Sequence, residues 1–212
     1  MIVRPFRSFT LVATVAVVTA ACSVAPGGPV APASVPSDAA TCPTSQPAPL
    51  PARETRTVTI ATDLGTMTLR IEADLSPIAA GNFVALAECG FYDGVVFHRV
   101  VPGFVIQGGD PTGTGSGGPG YTIKDEPVTV TYGRGVVAMA RTGAPDSVGS
   151  QFFVVLDDGA SAALADPKYN NYQIIGSVTA GMETADAITA AAGGVDLPSQ
   201  PVVMTDVSVS NP

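Results

Sequence analysis

The sequence predicts an all-β domain, an antiparallel barrel or sandwich with helices covering its open ends. Three observations point there. Many short apolar runs are separated by turns bearing Gly, Pro, Asn or Asp, only two stretches read as helix, and the chain has neither a βαβ rhythm nor an internal repeat.

The elements follow in order. Val58 and Ile60, then Met67, Leu69 and Ile71, alternate with polar neighbours, and Asp63-Leu-Gly65 sits between the two runs, which is a hairpin pattern. Pro77 opens a helical stretch with Ser76 before it as a candidate cap. Ile78, Phe83, Leu86 and Ala87 give that stretch an apolar face, and Cys89-Gly90 ends it. Strand-like runs come next, at Val95 to Val101, Phe104 to Gln107, Gly135 to Ala140, Phe152 to Leu156 and Ile174 to Val178. A second helix is expected over Met182 to Ala191, stopped by Gly193-Gly194, and Pro201 to Val209 reads as a closing strand. One domain over residues 53–212 accounts for all of these elements.

The chain before that domain is different in kind. Arg4 and Arg7 precede an uncharged, mostly apolar run from Leu11 to Ala21 that ends in small residues, the pattern of a secretory signal over residues 1–21. Eleven helical residues rise only about 16 Å, too little for a bilayer core of roughly 30 Å. Val18-Thr-Ala-Ala-Cys22 resembles a bacterial lipoprotein signal, in which the cysteine becomes the lipid-bearing first residue of the mature chain; Thr19 stands where that pattern more often has leucine. The resemblance implies an exported protein anchored by palmitate-type acylation of Cys22 at the outer face of the cell membrane, or a secreted one if Cys22 is not lipidated. Residues 22–52 are rich in Pro and Ala with hardly a charge and no apolar period, so they are expected to form a semi-extended tether. Outside the cytosol a Cys42–Cys89 disulfide is permitted and would pin the tether to the domain. Cys89 reads equally as a small buried apolar residue, but an exported unpaired thiol on Cys42 would be reactive.

With 10 Lys+Arg against 18 Asp+Glu, a net charge of −8, and no basic run, the chain lacks the footprint of a nucleic-acid binder or of a polybasic membrane patch.

Three segments carry the chemistry: Phe97-His-Arg-Val-Val-Pro-Gly-Phe-Val-Ile-Gln-Gly-Gly-Asp110, Val137-Ala-Met-Ala-Arg-Thr142 and Gly149-Ser-Gln-Phe-Phe153. In this order they strongly resemble the cyclophilin family of peptidyl-prolyl cis-trans isomerases, and the likeness runs from the Thr57 strand to the Val209 strand. It implies a closed eight-stranded antiparallel barrel capped by two helices, no cofactor or metal, and substrates that are proline-containing peptides and unfolded segments. With the export signal, these become unfolded exported proteins.

By the same resemblance Arg99, Phe104 and Gln107 are the catalytic positions. Val105, Ala140, Arg141, Gln151, Phe153, Leu164 and Tyr172 are the substrate-binding ones. An arginine suits the reaction. The amide barrier of about 18–20 kcal/mol comes from sharing of the nitrogen lone pair with the carbonyl, and a fixed guanidinium can donate to that pair once twisting localises it. Phe104, Val105, Phe153 and Leu164 would hold the proline ring, Gln107 would hold the Arg99 fork, Gln151 would support the groove wall, and the backbone of Ala140 and Arg141 would pair with the peptide. Family members usually have methionine at Val105, often asparagine at Arg141, and in many cases histidine at Tyr172. The tryptophan that often precedes the pocket leucine is absent, Ala163 standing about there, so weakened inhibition by cyclosporin is expected.

Other chemistries fit poorly. His98 is the only histidine, cannot complete a zinc set, and alternates away from Arg99 along a strand, so it reads as structural. The glycines from Gly108 to Gly120 lack Gly-Lys-Ser/Thr and a following helix, which argues against nucleotide binding. Ser150 is not in Gly-x-Ser-x-Gly. A non-catalytic proline-peptide binding module is the alternative to an enzyme. Retention of Arg99, Phe104, Gln107 and Phe153 favours the enzyme, since binding alone does not require the guanidinium. Nothing in the sequence asks for obligate assembly, so a monomer is expected.

Overall fold

The structure, a computed structural model, describes residues 41–165 and 172–211. The export segment, Cys22 and the tether as far as residue 40 lie outside the described residues.

The hairpin forms as its alternation requires. β1 (Thr55–Thr62) pairs antiparallel with β2 (Gly65–Glu72), and Val58, Ile60, Met67, Leu69 and Ile71 are all fully buried. Gly65, at φ +136°, makes the tight turn. Helix α1 (Pro77–Glu88) then covers one end of the sheet and is buried nearly all round, from Ala79 to Val84 and again at Leu86 and Ala87. Ser76 does not cap it. The Glu126 carboxylate does so from elsewhere in the fold, accepting the N–H groups of Ile78 and Ala79 at 2.9 Å each. A full negative charge at the positive end of the helix dipole serves better than a hydroxyl.

The remaining strands are β3 (Arg99–Val101), β4 (Val105–Gly108), β5 (Val136–Met139), β6 (Phe152–Val155), β7 (Ile174–Ala180) and β8 (Asp206–Ser210). Two helices complete the fold, α2 (Ala160–Leu164) and α3 (Met182–Ala191). The strand pairs are antiparallel, in one eight-stranded sheet of order β3-β4-β6-β5-β7-β2-β1-β8.

Three expectations need correction. The sheet is a curled, open half-barrel, because its end strands β3 and β8 do not form a ladder with each other. The segment facing that seam carries Pro198 and Pro201, which cannot donate to a ladder. The gap is spanned instead by an isolated Val96–Val203 bridge and single backbone bonds such as Phe97 N–H to Val202 C=O (2.9 Å) and Val100 N–H to Asp196 C=O (2.9 Å). For the same reason the closing strand starts at Asp206 rather than Pro201. The described residues also form three helices rather than two, α2 being the addition.

Sheet alternation sorts the central strands into two apolar clusters. Ile106, Val137, Met139, Phe152 and Val154 face inward to the main core with α1, while Val105, Ala138, Phe153 and Val155 face outward. The outer cluster is roofed by Ala160 and Leu164 of α2 and by Tyr132 and Ile174. β6 is therefore four apolar residues in a row because both its faces are covered, and the outer face is where the candidate site lies.

Residues 42–52, expected from the sequence to be the end of the tether, lie against α1. Leu50 is buried and its N–H donates to the Pro77 carbonyl at 2.9 Å. A Cβ on Gly81 would sit 2.4 Å from the Ala48 carbonyl oxygen, so glycine is required where this strap crosses the helix. A Cys42–Cys89 disulfide joins the strap to the end of α1.

Candidate functional site

β3 and β4 form a short antiparallel pair in which Arg99 lies opposite Gln107, and β4 pairs with β6 so that Gln107 lies opposite Phe153. This register brings three of the predicted site residues onto one outer face. With them a pocket of about 90 Å³ is lined by Arg99, Phe104, Val105, Gln107, Ala140, Arg141, Phe153, Leu164 and Tyr172. Ligand cavities for drug-sized molecules begin at roughly 300 Å³; this one has room for a small ring. Its floor is buried, with Val105 at 2% exposure and Phe153 and Leu164 at 3%, while Phe104 and Tyr172 are half-buried at the rim. The Tyr172 ring stands edge-on to Phe153, centroids 5.3 Å apart at 89°. Ala163 is exposed and offers no ring to the mouth.

Gln151 stands apart from the other predicted residues. It lines a larger adjoining cleft of about 680 Å³, which shares Gln107, Ala140 and Arg141 with the small pocket and is otherwise walled by the 115–122 loop and by Thr142, Ser147, Gly149 and Ser150. Its side chain links the loop to the pocket. Gln151 Nε2 donates to the carbonyls of Gly115 (3.0 Å) and Gly117 (2.9 Å), and Gln151 Oε1 accepts from Gln107 Nε2 at 2.9 Å. Gln107 Oε1 in turn accepts from Arg99 Nη1 at 3.4 Å. The guanidinium is thus aimed through a chain of amides, each of which polarises the next.

The loop is organised by Asp110, which sequence reasoning passed over. Its two carboxylate oxygens accept the N–H groups of Thr112, Thr114, Gly115 and Gly117 at 2.6–3.1 Å, as well as the Thr112 hydroxyl at 2.7 Å. Burial opposes its charge, but the hydrogen bonds from Gly117, Thr112 and Gly115 outweigh it and hold the carboxyl well below the usual carboxylate range. An available signal was the aspartate followed by threonines two and four residues on, a pattern for side-chain-to-backbone turns.

His98 is buried at 5% exposure under the same loop, and neither ring nitrogen has a hydrogen-bond partner among the described residues. Burial pushes its pKa down, Asp110 pulls the other way, and Arg99 adds to the lowering. The ring packs beneath the loop and does not line the pocket, in keeping with a structural role. Ser150 is fully buried and donates to the Gly109 carbonyl at 2.6 Å, a structural bond. Among the described residues no group of three or more His, Cys, Asp or Glu side chains could hold a metal ion.

Comparison with known proteins bears on this geometry. Residues 57–209 match the family model described as cyclophilin type peptidyl-prolyl cis-trans isomerase/CLD. The peptidyl-prolyl cis-trans isomerase B of Bacillus subtilis is 48% identical over 123 residues, 55% of this chain and 80% of that protein. A relative in Streptococcus pyogenes, whose name joins a phosphatase to a peptidyl-prolyl isomerase, is 50% identical over 102 residues, 46% of this chain but only 22% of its own length. The crystal structure of a cyclophilin-type isomerase of Cryptosporidium parvum superposes with a TM-score of 0.65 at 33% identity, covering 74% of this chain and 99% of that one. A second crystal structure of that protein was determined in the presence of the dipeptide Ala-Pro.

Proposed function

We propose that this chain, which belongs to the cyclophilin-type peptidyl-prolyl cis-trans isomerase family, catalyses rotation about X-Pro bonds in the small pocket, with Arg99 as the catalytic group. The chain is an enzyme, a peptidyl-prolyl cis-trans isomerase. The observation that carries the reading is the juxtaposition of a ring-sized apolar pocket with a guanidinium aimed by two glutamines.

The proline ring enters between Phe104, Phe153 and Leu164, leaving the prolyl nitrogen facing Arg99. In a planar amide that nitrogen's lone pair is shared with the carbonyl and accepts no hydrogen bond. As the bond twists, the pair localises and the guanidinium can donate to it. The contact is made in the twisted state and in neither planar isomer, which is the condition for lowering the barrier. Gln107 limits the freedom of the guanidinium, so little reorganisation is needed at that moment. The substrate backbone pairs with the edge at Arg141, whose N–H and C=O carry no backbone hydrogen bond among the described residues. Such an edge can take an extended peptide as an added strand.

The clients are exported proteins. The Arg4/Arg7 signal, the apolar run to Ala21 and Cys22 support export and lipid anchoring at the outer face of the membrane, with the Pro/Ala-rich segment before the strap as the tether. The catalyst works there as a monomer. X-Pro isomerisation takes tens of seconds unaided, long enough for a chain emerging beside the membrane to be met in its unfolded state. Refolding of a protein whose slow phase is set by X-Pro isomerisation tests the activity: the full-length chain should accelerate that phase and its Arg99→Ala variant should not. Cell fractionation tests the anchor, since Cys22→Ser should move the protein out of the membrane fraction. An unchanged distribution contradicts lipidation.

A further inference from the structure

The Arg141 side chain makes its hydrogen bonds to its own segment. It folds back on its own loop, Nη2 donating to the Ala144 carbonyl at 2.8 Å and Nε to the Thr142 carbonyl at 3.2 Å, and so staples residues 141–144 into a tight turn. Its Nη1 lies 3.0 Å from Asp125 Oδ1, and both atoms are buried. Neither has a hydrogen bond of good alignment among the described residues, so each serves as the other's counter-charge at that point. The second oxygen of Asp125 accepts the Asp146 N–H at 2.9 Å, and Asp146 Oδ1 accepts the Asp125 N–H at 2.9 Å. Asp146 is held at φ +52°, a backbone state that a non-glycine residue keeps only where its surroundings hold it. Asp125 thus grips the 141–147 loop at two points, one ionic and one backbone.

Asp125 is itself fixed. Lys124 N–H donates to Gln46 Oε1 of the strap at 2.9 Å, Lys124 C=O accepts from Gln173 Nε2 at 3.0 Å, and Glu126 caps α1. The segment 124–126 is consequently a rigid post between α1, the strap and the start of β7, and the loop bearing the Arg141 backbone edge is moored to it.

We propose that Asp125 is a positioning residue for substrate binding: through its pair with Arg141 it fixes the backbone edge on which the peptide must lie, while touching neither substrate nor Arg99. This rests on the reading of the groove as the peptide site. If Asp125 is replaced, the Arg141 head loses its buried counter-charge and turns to solvent. The bonds to Ala144 and Thr142 then go with it, and the edge loosens. Arg99, Gln107 and Gln151 belong to other segments and keep their geometry. The consequence falls on affinity and not on the bond rotation.

The test measures KM and kcat for an Ala-Pro peptide, together with Kd for the same peptide by NMR titration, on full-length wild type, Asp125→Asn, Arg141→Gln and the double variant. The expected result for Asp125→Asn is a KM and Kd about tenfold higher with kcat unchanged. The double variant should bind no more weakly than the worse single one, since one interaction is removed twice. Unchanged KM and Kd in Asp125→Asn, an equal loss in kcat, or additive effects in the double variant overturn the proposal and leave the isomerase reading standing. A wild type that neither binds nor turns over the peptide overturns both. If Asp125→Asn does not fold, Arg141→Gln alone must still show the affinity loss.

Discussion

Gly117 offers a measurable perturbation of the loop behind the pocket. A Cβ added there would lie 2.0 Å from Asp110 Oδ1 and 2.8 Å from the Thr112 hydroxyl, whereas ordinary contact begins at 3.4 Å. Either the carboxylate or the loop must shift by more than an ångström. The bonds at risk are those that the clashing Oδ1 accepts from the Thr112 N–H and hydroxyl at 2.7 Å each, which such a displacement breaks. Hydrogen bonds to a charged group are worth about 1.5–3 kcal/mol each, so Gly117→Ala should cost about 3 kcal/mol. At roughly 2–4 °C per kcal/mol for a chain of this size, Tm should fall by about 6–12 °C. The damage should also reach catalysis, since the Gly117 carbonyl holds Gln151, Gln151 holds Gln107, and Gln107 holds Arg99. Gly118→Ala is the matched control: its nearest atom is Ser150 Oγ at 4.0 Å, and the change should stay within about 0.5 kcal/mol. Thermal melts and peptide kinetics on both variants decide the matter. If Gly117→Ala melts within about 2 °C of wild type, or behaves as Gly118→Ala does, Asp110 does not organise the loop.

Three further outcomes are expected. The lowered pKa of His98 means the unfolded chain binds more protons, so stability present above about pH 6.5 is lost as pH falls toward the folded value; melts at about pH 7.5 and 5 should show this slope for wild type and a flatter one for His98→Gln. Reducing the Cys42–Cys89 disulfide, which closes a separation of 47 residues, should destabilise by about 2–4 kcal/mol, read as a lower Tm with reductant and no such change in a Cys42→Ser/Cys89→Ser variant. Glu126→Gln removes the charge at the start of α1 and should cost about 1 kcal/mol in denaturant unfolding, whereas Ser76→Ala should be nearly neutral because Ser76 makes no cap.

Much of this architecture was legible in the sequence because it depends on near neighbours. The β1–β2 hairpin is written in the alternation of Val58, Ile60, Met67, Leu69 and Ile71, and α3 in the span Met182–Ala191. Arg99, Phe104, Val105 and Gln107 came from one motif whose strands β3 and β4 are joined by only three residues, so for these four sequence proximity and spatial proximity coincide. What stayed hidden depends on distance along the chain. Glu126 caps a helix 48 positions away, and nothing local marks a glutamate for that task. The open seam between β3 and β8 is a property of two remote segments, although Pro198 and Pro201 could have warned of it. Helix α2 was missed because Ala160 to Leu164 is a single turn of small residues with no apolar stripe. Arg141 was identified as a groove residue, but that its side chain staples its own loop is visible only with Asp125 beside it.

Everything proposed for the pocket turns on the Arg99 guanidinium, aimed by Gln107, lowering the barrier to X-Pro rotation. The most direct test is the interconversion rate of an Ala-Pro peptide with the full-length chain and with Arg99→Ala, peptide binding being measured alongside. Wild type should accelerate strongly, Arg99→Ala should lose about a hundredfold or more in kcat, and the apolar pocket should largely keep its binding. Equal rates for wild type, variant and peptide alone, with binding intact, would make this a proline-binding module in which Arg99 has no catalytic role.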